Sequence, residues 1–131
     1  MIEVQALQHV SLTVTDLDRA RDFYGRILGL TEIERPDFDF AGAWYKVGEQ
    51  QVHLIVHPAP LRGTRDIDPR TSHYALRVES HHETLRHLQE HGVTCRERLR
   101  NRTRWSQIFL TDPDGNVIEL NAEMLEHDSE L

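Results

Sequence analysis

The sequence predicts an α+β fold in which two similar modules contribute strands to one curved mixed sheet, with helices on its outside. Three observations predict it: alternating strand patterns, two amphipathic helical runs, and a repeat that writes both in the same order twice. LQHVSLTV, residues 7 to 14, sets Val10, Leu12 and Val14 on one face and His9, Ser11 and Thr13 on the other, the period of a half-buried strand. DLDRARDFYGRILG follows, with Ala20, Phe23, Tyr24, Ile27 and Leu28 at helical spacing, Asp16 as N-cap and Gly29 as the stop. AGAWYKVG and QQVHLIVH then read as two strands about a GEQQ turn. The second half starts again with SHYALRV, residues 72 to 78, a strand headed by His73. SHHETLRHLQEHG is its helix, with Ser80 and Glu83 in a capping-box pattern, Leu85 and Leu88 as the apolar stripe and Gly92 as the stop. WSQIFLTD and NVIELN flank DPDG, a strong turn signal. Gly29 follows His9 by 20 residues and Gly92 follows His73 by 19. Each half therefore reads as strand, helix and about three strands.

One domain is expected over residues 5–122, with module one at 5–58, a linker of prolines, glycine and charges at 59–69, module two at 70–122 and an acidic tail at 123–131. A length of 131 residues suits that size. The formal net charge of -7 argues against nucleic acid or an anionic membrane as the main partner. No apolar run approaches the roughly 18 residues of a membrane span. The opening MIEVQALQHV shows no basic region followed by an apolar stretch, so no signal peptide is expected and a cytoplasmic location is. The single cysteine, Cys95, has no internal disulfide partner.

The strand faces carry the chemistry. In the four strands that open and close the modules, one parity is apolar apart from the Tyr74 hydroxyl and suits packing against the helices. The other carries His9, His53, His73 and Glu119, and should line a cavity. A lone histidine at a strand head is usually solvated; four donors at matching positions are not alone. Three imidazoles and a carboxylate suit Zn, Ni, Fe, Mn or Co. One divalent metal per chain is the cofactor expected.

These features resemble the vicinal oxygen chelate superfamily, which includes glyoxalase I, extradiol dioxygenases, fosfomycin resistance enzymes and bleomycin resistance proteins. The resemblance rests on the strand-opening His9, the DLDRARDFYGRILGL helix, His73 and DPDGNVIEL with Glu119, and runs from about Ala6 to Asn121. RPDFDFAGAWYKVGEQQVHLIVHPAP is similar to glyoxalase-like proteins of bacteria and plants. The resemblance implies paired βαβββ modules whose sheet wraps round a metal held by His9, His73 and Glu119, with His53 as a fourth ligand. It implies an isomerase or lyase that polarises a small substrate through two neighbouring oxygens, with Glu119 also the general base, and a homodimer. A small dioxygenase, or a binding protein of the bleomycin-resistance kind that sequesters its ligand, is the alternative. Thr13 and His57 stand where bacterial glyoxalase I has residues that contact glutathione, which points away from glutathione chemistry.

Arg77 shares the cavity parity with His73 and could grip a substrate carboxylate or phosphate, or reach the rim and pair with an acid. His57, Trp44 and Trp105 are further substrate-binding candidates, and Phe38 and Phe40 could cover an apolar substrate or sit in the core. Arg96, Arg98, Arg100, Arg102 and Arg104 alternate, as a solvated edge strand or loop would. His81, His82, His87 and His91 are expected on the helix surface.

Overall fold

The computed structural model describes residues 1–58, 66–99 and 103–124. The chain divides into two compact units, Met1–Leu61 and Arg62–Leu131. The first holds β1 (His9–Val14), α1 (Leu17–Arg21), β2 (Thr31–Ile33), β3 (Gly42–Val47) and β4 (Gln50–Val56). The second holds β5 (His73–Arg77), α2 (His81–Glu90), β6 (Cys95–Arg98), β7 (Trp105–Thr111) and β8 (Val117–Glu123). The two sheets have equivalent orders, β1-β4-β3-β2 and β5-β8-β7-β6. In each, the opening strand pairs parallel with the closing one and the other pairings are antiparallel. Each unit is thus a βαβββ module, and the α+β class stands. The residues predicted as linker and tail lie mostly outside the described parts, and among the described residues no helix is long and apolar enough to cross a membrane.

In the first unit Ala20, Phe23, Tyr24, Tyr45, Val52 and Leu54 are buried between helix and sheet. Burying a side chain such as Leu54 contributes about 1.5–3 kcal/mol. Asp16 caps α1, its Oδ1 accepting from Arg19 N–H at 3.0 Å. The single α-helix expected here is not what forms, because Asp22–Ile27 continues α1 as a π-helix. The Leu28 N–H donates to the Phe23 carbonyl, five residues back, at 2.9 Å. The wider turn buries the consecutive rings of Phe23 and Tyr24, packed edge to face at 5.1 Å. A 3.6-residue period cannot announce such a turn.

The second unit buries Leu88 of α2 with Ile108, Leu110, Ile118 and Leu120. Ser80 Oγ accepts from Glu83 N–H at 3.2 Å, but the Glu83 carboxylate turns to Arg86, leaving half of the capping box. The DPDG turn is held by buried Asp112, whose Oδ1 accepts from Asp114 N–H at 2.9 Å and Asn116 N–H at 2.8 Å. β6 is an edge strand with Arg96, Glu97 and Arg98 exposed; Arg100 and Arg102 lie outside the described residues. His81 corrects the expectation of a helix-surface histidine. It is buried, with Nε2 2.7 Å from Glu97 Oε2, because the first turn of α2 faces β6 and not solvent.

Candidate metal centre

Strand register decides which side chains share a face. In the first sheet Ser11 and Trp44 both pair with His53, so His9, Ser11, Trp44, Gln51 and His53 project from one side. The rings form a row across the strands. His9 stacks on His53 at 4.1 Å between centroids, and Trp44 stacks on the other face of His53 at 4.0 Å with the planes 4° apart. Held on both faces, the His53 imidazole has its in-plane nitrogens as its open edges. Gln51 Oε1 accepts from Nε2 at 2.8 Å, so a metal at Nε2 would displace that carboxamide. Burial, and then the charges of His9 and Arg35, push the His53 pKa below its usual value, which favours the neutral, ligating form. His9 is exposed, and its Nδ1 contacts Gln8 Oε1.

In the second sheet Ala75 and Phe109 pair with Glu119, which puts His73, Arg77, Trp105, Gln107, Phe109, Glu119 and Asn121 on one side. His73 donates from Nδ1 to the Thr71 carbonyl at 2.8 Å, which leaves the lone pair of the neutral ring on Nε2. That lone pair faces Glu119 Oε1 at 3.3 Å. Two acceptors aimed at each other need a cation between them, a proton or a metal ion. Glu119 Oε2 is occupied otherwise, by Asn121 Nδ2 at 3.1 Å and Gln107 Nε2 at 3.5 Å. Glu119 is buried, 8 % exposed, and presents one carboxylate oxygen, Oε1, to His73. Such outer contacts orient metal ligands in general.

The structure therefore brings together His9 with His53 in one unit, and His73 with Glu119 in the other. Among the described residues no group of three or more histidine, cysteine, aspartate or glutamate side chains is close enough to hold a metal. The donor types and the paired lone pairs at His73 and Glu119 fit a divalent metal.

Arg77 reaches the rim. Its guanidinium lies 4.9 Å from the Trp105 ring centroid and its Nη2 is 3.4 Å from Glu123 Oε2. His57 is exposed just beyond β4. Asn121 and Gln107 were missed from the sequence, although both lie at alternate positions on strands already read. Arg35 was missed as well, and nothing in RPDFDF marks it.

A family model described as the Glyoxalase/Bleomycin resistance protein/Dioxygenase superfamily matches residues 6–120. A protein named glyoxylase I 4 from Arabidopsis thaliana is 31% identical over 124 residues, which are 91% of this chain and 71% of the plant protein. The glutathione transferase FosA of Serratia marcescens is 32% identical over 127 residues, covering 93% of this chain and 84% of the enzyme. Among solved structures, a glyoxalase family protein of Bacillus anthracis superposes with a TM-score of 0.77 at 25% identity, over 94% of this chain and 98% of that one.

Proposed function

The chain belongs to the glyoxalase/bleomycin resistance protein/dioxygenase superfamily, and on that premise we propose that it is a metal-dependent isomerase or lyase. Its substrate is a small molecule with two neighbouring oxygens, and its ligands are His9, His53, His73 and Glu119. The observation that carries this reading is the convergence of the His73 Nε2 lone pair and Glu119 Oε1 at 3.3 Å, with both partner atoms fixed from behind.

A bound divalent metal would supply Lewis-acid polarisation of the substrate oxygens. The chain's own residues do the rest. Thr71 holds His73 in the ligating tautomer, and Asn121 with Gln107 ties down Glu119 Oε2, so Oε1 is the one oxygen left to serve both as ligand and as acceptor of a substrate proton. Trp44 and His9 hold the plane of His53. Completing the donor set requires the two pairs to oppose one another, within one chain or across a homodimer, which we include in the proposal together with a cytoplasmic location. Thr13 and His57 favour a substrate other than a glutathione adduct.

The test is metal content by plasma mass spectrometry on untagged protein purified without chelator. About one Zn, Ni, Fe, Mn or Co per chain is expected, lost in His73→Ala and in Glu119→Gln. Folded wild-type protein that stays metal-free after reconstitution would overturn the reading in favour of a ligand-sequestering module.

A further inference from the structure

The first unit holds an arginine that the metal-site reading does not use. Arg35 lies between β2 and β3, with its guanidinium carbon 4.8 Å from the Phe38 ring centroid and 5.0 Å from that of Phe40. Its Nη2 donates to the Phe40 carbonyl at 2.9 Å, while its Nε is buried without a hydrogen-bond partner. Among the described residues no carboxylate pairs with it. The cation is sunk against Gly42, where an added Cβ would lie 3.0 Å from both Nε and Nη2. A buried donor left unsatisfied opposes folding, so its retention calls for a reason.

The surroundings supply one. Phe38 stacks on Phe40 at 5.2 Å, Trp44 lies 6.2 Å from Phe38, and Trp44 in turn covers His53. An aromatic surface thus runs from the candidate metal ligand out to two phenyl rings that are each 43% exposed. Exposed rings over an inset, unpaired guanidinium offer a π-face and a positive charge to the same ligand. Glu34, Asp37 and Asp39 belong to the same segment, but they are exposed to screening water and make no ion pair with Arg35.

We propose that Arg35, Phe38, Phe40 and Trp44 form a subsite for a planar aromatic acid, whose ring lies against the phenyls and whose carboxylate faces the guanidinium. This names the substrate class of the metal site and rests on that reading for the chemistry, though not for the binding. Trp44 links the two places, lying 6.2 Å from Phe38 and stacked on His53, so an anionic ligand held there brings negative charge towards the metal ligands, and metal and aryl acid should strengthen each other's binding.

The experiment is calorimetric titration of metal-stripped protein with 2-naphthoate, its neutral counterpart 2-naphthalenemethanol and the saturated acid cyclohexanecarboxylate. Naphthoate should bind about tenfold more tightly than either. Arg35→Gln should weaken naphthoate about tenfold and leave the alcohol unchanged, and Phe38→Leu, at an exposed ring, should weaken both aromatic probes. If Arg35 merely straps the 36–41 segment, Arg35→Gln will lower the melting temperature without separating acid from alcohol, and the proposal falls. Wild-type protein that fails to bind naphthoate also overturns it. Metal bound without naphthoate binding sinks the subsite alone, whereas naphthoate bound by a protein that takes up no metal leaves the subsite and removes the metal reading.

Discussion

His53 shows how a residue's neighbours set its chemistry. An imidazole stacked on both faces cannot be solvated there, and a proton on it would meet the Arg35 charge, so its folded pKa lies below 6.5. The unfolded chain therefore binds this proton more readily than the folded one. Stability is undiminished above the unfolded value and falls as the pH drops from about 6.5 through the depressed folded value. His53→Gln removes the group and leaves every other titrating residue in place. Unfolding free energies from urea titrations at a series of acid pH values should fall less steeply for the variant, by up to one proton. Identical slopes would mean that His53 titrates as it does in the unfolded chain.

At the scale of elements, the strands and turns were legible because their period is two and their turn residues are specific. QQVHLIVH and NVIELN show one face each, and Asp112 and Gly115 stand where the tight DPDG turn needs them. The sharing of a face by His9 with His53, and by His73 with Glu119, was legible for the same reason, whereas the bond from Asn121 to Glu119 was not, since a period of two places a side chain without naming its partner. The π-helix was not, since it arises from burying two adjacent rings and not from a period. Nor were the inset Arg35 and the buried His81, whose places depend on which segment packs over them. Gly42 joins the two kinds. On the sequence it is a small residue in a strand, yet a Cβ there would lie 2.3 Å from the Leu54 carbonyl oxygen of the paired strand. Backbone in the middle of a sheet cannot step aside as a flexible side chain can. Gly42→Ala should therefore cost about 1–3 kcal/mol of stability, read as a lower urea midpoint, through strain between β3 and β4. An unchanged midpoint would show that the pair can separate locally.

Across the whole molecule, the repeat is plain in the fold, and on the proposed reading it divides the metal ligands as well. Each unit builds the same sheet order, and each places two donors on matching strands, β1 with β4 and β5 with β8. Two donors alone hold a metal weakly, whereas four hold it firmly and still leave room on a six-coordinate ion for two substrate oxygens, so the pairs should act as one binding unit and not as two independent halves. The doubly substituted His9→Ala/His53→Ala protein and the His73→Ala/Glu119→Gln protein should each lose metal affinity by more than roughly 100-fold, because removing even an outer-shell partner costs about 10- to 100-fold. If either double variant keeps the wild-type affinity, the surviving pair is the site and the other is not part of it. Mixing the two variants after co-refolding then reads the assembly. Recovered binding requires one chain to lend its His9/His53 pair to another chain's His73/Glu119 pair, which makes the homodimer a condition of the site. Metal-free mixtures place all four donors within one chain, and the dimer then has no part in the chemistry.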